Sequence, residues 1–290
     1  MSEENILSDV AMLVSLKITT CHFEKTDTDA SDEFCANKKA DSQSAKVVKK
    51  LFGGNQALKD LIKIAGRARN DSKKLTLPYR TGQDLLSVQM YEKHGELMND
   101  YNDQFLLAKT VFIQDYKTEM QVQRAKQGKL WKESDYPHVD AVDDAFTFNL
   151  LYEPIADCQS FDKMGLGKLV SDATNILNNR ITDAVMKMFK DVEKYLGNFA
   201  LRCKEYKPKT EDSKAQHVFK NTLISNLSDL VDNLPLMNIT NNKEINDLCV
   251  DIKHLLKGLD LETLREDDTI REQASKQAQS ILEKMQGYGA

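Results

Sequence analysis

Glu133, Asp135, His138, Asp140, Asp143 and Asp144 fall within twelve residues of one another. Carboxylates and an imidazole at that density could hold a hard or borderline cation. Their spacing fits neither an EF-hand loop nor a helix with two histidines four apart. An acidic solvated turn before a strand is the commoner source of such a cluster, so no metal is assigned. Cys21, His22 and Cys35 offer three zinc-type ligands without a fourth, and Cys21 and His22, adjacent on a strand, point to opposite faces. Gly165-Leu166-Gly167-Lys168 precedes a helical pattern, where free N–H groups favour an anion. Leu169, however, stands where a phosphate-binding loop needs Ser or Thr. His94, His217 and His254 lie in separate patterns with no Ser or Cys nucleophile signature beside them. No catalytic residue or cofactor follows, and the expectation is a protein that is not an enzyme.

The net charge of −5 conceals an uneven distribution. Residues 1–37 carry two Lys against eight Asp or Glu, whereas residues 38–80 carry twelve Lys or Arg against three Asp. A polyanion responds to the local field more than to the total charge. The candidate nucleic-acid contacts are therefore Lys46, Lys49, Lys50, Lys59, Lys63, Arg67, Arg69, Lys73, Lys74 and Arg80, flanked by the aromatics Phe52 and Tyr79. Lys59, Lys63 and Arg67 recur at every fourth position and share one side of a helix. Against that reading, a Lys-rich face opposite an apolar stripe is ordinarily just solvated, and single strands are usually held by stacking aromatics, which are sparse here. Trp131, the single Trp, is read as covering a core edge.

The elements that would position these groups are mostly helices. From Lys168 to Lys204, Leu169, Ala173, Ile176, Leu177, Ile181, Ala184, Val185, Met188, Phe189, Val192, Leu196 and Phe199 recur at spacings of three and four. That predicts a helix roughly 50 Å long with a continuous apolar stripe. Helical patterns at 82–127, 216–234, 243–257 and 260–286 are available to cover it. Gly53-Gly54 breaks the chain before Asn55, which caps a helix to Arg69, and Gly128 stops the pattern that Gly82 and Asp84 introduce. Residues 12–23 and the alternating Phe146, Phe148, Leu150 and Tyr152 predict two strands, the second closed by Pro154, that could pair. Residues 24–44 are expected to form a polar surface loop, residues 44–51 a short helix, Leu75 to Tyr79 an extended segment, and Lys207 to Lys214 the tip of a helical hairpin.

The fold class is therefore mainly α within α+β. We expect an elongated bundle of long helices and helical hairpins with a small two- or three-stranded sheet at one end. Residues 1–160 would form an N-terminal α+β region and residues 161–290 a C-terminal helical one, packed as one elongated domain. No apolar run is long enough for a membrane span, the acidic start lacks the pattern of a secretory signal, and five scattered cysteines suit reduced thiols. A cytoplasmic location is expected.

The succession Leu75-Thr76-Leu77-Pro78-Tyr79, Asp135-Tyr136-Pro137, Phe146-Thr147-Phe148-Asn149 and Pro154 resembles an uncharacterised family of bacteriophage and prophage long-helix proteins. The region Phe219 to Leu234, followed by Leu236-Met237-Asn238-Ile239-Thr240, is similar as well, so the resemblance spans most of residues 10–286. It implies a turn, a long helix, a second turn, an aromatic strand and a helical hairpin in that order. Genes of this family sit near a MoxR-type AAA ATPase and a von Willebrand-type adhesion domain. That implies a part in an assembly in the host cytoplasm, with an AAA ATPase among the partners. The family defines no catalytic residues. The expected function is a helical scaffold or adaptor that self-associates through the 168–234 hairpin. The alternative is a single-stranded nucleic-acid-binding protein of phage replication or transcription, acting through residues 46–80.

Overall fold

A computed structural model of the chain describes residues 7–155, 167–208, 214, 216–220 and 222–288. The elements begin with α1 (Leu7–Val10), β1 (Ala11–Thr19), β2 (Glu24–Asp27), α2 (Thr28–Asn37), β3 (Val47–Lys50) and α3 (Gln56–Leu75). Next come β4 (Leu77–Arg80), β5 (Gln83–Ser87), α4 (Tyr91–Gln127), α5 (Val139–Asp144) and β6 (Thr147–Pro154). The C-terminal helices are α6 (Gly167–Glu205), α7 (Thr222–Met237), α8 (Lys243–Leu256), α9 (Leu261–Glu266) and α10 (Asp268–Met285). The fold is α+β and mainly α, as the periodicity predicts. It holds a four-stranded sheet in the order β4-β5-β1-β6 and a separate two-stranded sheet of β2 and β3.

The chain groups into two compact units built from non-contiguous stretches. One comprises Met1–Val14, Lys73–Glu92 and Tyr152–Ala290; the other comprises Ser15–Ser72 and Lys93–Leu151.

In the first unit, β4 and β5 form a hairpin whose turn uses Gly82 at φ +82°, a conformation that costs glycine little. The start of β1 pairs antiparallel with β5, from Ala11 opposite Ser87 to Val14 opposite Asp84. The stripe of α6 is where the spacing puts it, with Ala184, Met188, Val192, Leu196, Phe199 and Cys203 buried. Its partners are α7, α10 and β4. Ser275 Oγ donates to Ala200 O at 3.1 Å and the rings of Phe189 and Tyr288 lie 6.3 Å apart, so α10 runs antiparallel to the second half of α6.

In the second unit, α3 and α4 pack with the end of β1 and the start of β6 around one core. Phe23, Phe52, Phe112, Tyr116, Tyr136 and Phe146 are buried there, with the Phe52 ring 5.2 to 5.4 Å from those of Phe112, Tyr116 and Tyr136. Tyr136 Oη donates to Leu51 O at 2.9 Å, and Tyr116 Oη donates to Pro137 O at 2.7 Å, so the two phenols stay satisfied. Thr19 Oγ1 and Thr147 Oγ1 lie 2.6 Å apart, which brings the two strands read from the sequence side by side.

Three local expectations are corrected. The polar stretch 24–44 is not a loop. It forms β2 and α2, because Asp27 caps α2 by accepting from Ala30 N at 3.1 Å and Ser31 Oγ bonds both Asp27 O and Val47 N. The expected helix at 44–51 is β3, where the β-branched pair Val47-Val48 lies against β2, with Lys49 opposite Lys25 and Val48 opposite Thr26. The long pattern expected from Gly82 starts as β5, and α4 begins at Tyr91.

Candidate functional site

Helix α3 carries three exposed cations on one side. Asn55 Oδ1 accepts from Leu58 N at 2.9 Å and starts it. Leu58, Leu61, Ala65 and Ala68 are buried on one side, while Lys59, Lys63 and Arg67 are exposed on the other. Among the described residues these three cations have no ion partner. The acids of the same helix are engaged elsewhere: Asp60 accepts from Gln56 Nε2 at 2.9 Å and Asp71 from Tyr101 Oη at 2.5 Å. Gly66 sits in the same helix, and a Cβ there would meet nothing within 4 Å. Like charges four apart cost a few tenths of a kcal/mol per pair, and a mid-helix glycine costs roughly 1 kcal/mol relative to alanine.

Much of the rest of the basic block is engaged by other groups. Lys49 is a correction to the candidate set: its side chain is 3% exposed, with Nζ 2.9 Å from Asp27 Oδ2, 3.0 Å from Leu130 O and bonded to the Asp135 carboxylate. Burial disfavours its charge, but the bonds to Asp135 and Asp27 overcome that and raise its pKa. Such a lysine cannot reach a phosphate. Arg69 Nη2 donates to Ile18 O at 2.7 Å, and Lys50 lies 4.0 Å from Glu24. In the other unit Lys73 pairs with Asp84 at 2.6 Å, and Arg80 Nε donates to Gln83 Oε1 at 2.6 Å. Lys46 is exposed before β3, and Lys74 is exposed in the last turn of α3. Of the flanking aromatics, Phe52 is in the core and Tyr79 lies 4.4 Å beneath the Arg180 guanidinium.

The acidic cluster is likewise dispersed. Asp135 turns to Lys25, at 2.7 Å, and to Lys49; Asp143 pairs with Lys109 at 3.1 Å; His138 Nδ1 accepts from Asp140 N at 3.4 Å. No three His, Cys, Asp or Glu side chains among the described residues are grouped to hold a metal ion. Cys35 is buried in α2, with Sγ facing Ser42 O and Ala45 O at 3.9 and 3.8 Å. Gly165 and Leu166 lie outside the described residues, as does the side chain of Leu169. Trp131 packs on the core edge, stacked on Tyr136 at 6.1 Å with Arg124 over its ring at 4.9 Å.

Comparison with family models, curated proteins and solved structures found no match. No described helix is long and apolar enough to cross a membrane.

A second surface lies on α6. Val170, Ala173, Leu177 and Ile181 continue the apolar stripe toward its N-terminus, yet among the described residues none of α6 before Ala184 is buried, and Ile176 is 50% exposed. Sequence reading also missed a contact between distant residues. Ser72 Oγ lies 2.9 Å from His94 Nε2, and burial pulls the His94 pKa down to about 4. Both side chains are sealed in the interior, so the pair has the composition of a nucleophile and base without access for a substrate. No spacing signal could have revealed it, because the two residues sit on α3 and α4 and meet only by packing.

Proposed function

We propose that the protein is a non-enzymatic helical scaffold or adaptor that associates with a second copy of itself through the first half of α6. The observation that supports this is the mismatch between α6 and the helix running along it. At 1.5 Å per residue, the 39 residues of α6 extend about 58 Å and the 18 residues of α10 about 27 Å. The apolar stripe of α6 runs on past the half that α10 covers into Ile181, Leu177, Ala173 and Val170, which remain only partly covered although β4 touches this half through Tyr79 and Arg180. A helix carrying apolar residues at three- and four-residue spacing gains by laying them against another helix of the same kind. A second α6 is self-complementary to the first and closes as a two-fold pair, with no open surface left to polymerise. The resemblance to phage proteins adds an AAA ATPase as the partner such a scaffold would present itself to.

Size-exclusion chromatography with light scattering, over a concentration series, tests the reading. A concentration-dependent dimer is expected, shifted to monomer by Ile176→Asp. A strict monomer at high concentration overturns it.

A further inference from the structure

We propose that the exposed face of α3 binds the phosphodiester backbone of a nucleic acid, by charge and close approach and without reading bases. The proposal is independent of self-association and uses a different helix. Lys59, Lys63 and Arg67 rise about 6 Å apart along the axis, the order of the distance between successive phosphates of an extended strand. Among the described residues no acid lies within ion-pair distance of them, and the two aspartates of the helix bond Gln56 and Tyr101.

Gly66, between Lys63 and Arg67, is a second and separate observation. Within the protein, no neighbour occupies the space a Cβ would take, so packing does not require glycine there. Without a side chain, the helix surface between the cations stays low enough for a phosphate to approach the backbone. Repelling charges and a helix-weakening residue coincide on one solvent-facing arc, and departures from local stability rules of this sort are concentrated at functional sites.

The chemistry of the arc narrows the ligand. Lys59, Lys63, Gly66, Arg67 and Asn70 present no apolar side chain to enter a lipid layer, and no aromatic ring to stack on a base. What remains is contact with phosphates, which is insensitive to sequence and steeply dependent on salt.

The test is fluorescence anisotropy of the full-length protein with a labelled mixed-sequence oligonucleotide, as single strand and as duplex, across a salt series. Binding to either form is expected, and the two arms identify which. Lys59→Ala, Lys63→Ala and Arg67→Ala should each lower the slope of log affinity against log salt by about one. The triple reversal K59E/K63E/R67E should weaken binding about tenfold or more at low salt, with unchanged far-ultraviolet circular dichroism. Lys117→Glu, at an exposed position on α4, is the control for net charge and should bind close to wild type. Gly66→Leu should weaken binding several-fold although all charges remain. The proposal is overturned if neither oligonucleotide binds at low salt, whether or not phosphatidylserine vesicles capture the protein. It is also overturned if the triple reversal binds like wild type, or if Lys117→Glu loses as much as the triple reversal. A Gly66→Leu protein of undiminished affinity overturns the close approach.

Discussion

Lys49 Nζ lies 2.9 Å from Asp27 Oδ2, both side chains 3% exposed, in the two-stranded sheet of β2 and β3. The bond from Lys49 holds the Asp27 carboxyl below the usual carboxylate range. Burial pushes Asp135 up, but its bonds to Lys25 and Lys49 more than offset this and hold it low as well. Lys49→Met leaves two carboxylates without their shared cation and should lower stability by on the order of 3 kcal/mol, read from urea unfolding. Because the folded pKa values are depressed, this stabilisation is present above the ordinary carboxylate pKa and is lost as pH falls through the folded values. The acid limb of stability against pH should therefore be shallower in Lys49→Met than in wild type.

His94 should make stability depend on pH in a higher window. Its folded pKa of about 4 lies below the ordinary 6.5, so the unfolded chain takes up the proton first. The neutral ring is fully stabilising above pH 6.5, and the contribution falls away as pH drops from there toward 4, by roughly 3 kcal/mol in total. His94→Gln should flatten the urea midpoint across that interval. A His94→Gln protein with the wild-type slope would place the titrating group elsewhere.

The two halves of α6 should respond differently to truncation. Leu196 is fully buried, and Leu196→Ala should cost about 2–5 kcal/mol. Ile176→Ala, at a half-exposed site, should change monomer stability by no more than about 0.5 kcal/mol while weakening self-association. Chemical unfolding of both variants below the association concentration separates the two effects.

Gly66 and Gly197 both lie inside helices with open space around a would-be Cβ, and neither has a positive φ. Alanine at either position should therefore raise stability by roughly 0.5–1 kcal/mol, measured as the rise in thermal midpoint.

Much of this molecule was written locally. Periods of three and four located α3, α4, α6, α7 and α8, the alternation at Phe146 to Tyr152 located β6, and Asn55 and Gly128 marked helix ends, because each signal acts within a few residues of chain. The exposed cationic side of α3 was legible for the same reason. The single helix expected over 260–286 is instead α9 and α10, parted at Asp267, whose side chain caps the second. What tertiary structure alone decided is which of the charges remain available. Lys49 and Lys59 look equivalent in the sequence, yet one is enclosed between Asp27 and Asp135, brought from either side of it along the chain, and the other faces water. Residues 24–50 were misread because their polar side chains are held by caps and buried ion pairs, which leave no apolar periodicity to read. The grouping into two units was equally invisible, since each is stitched from stretches far apart in sequence, and such contacts depend on how surfaces meet in space.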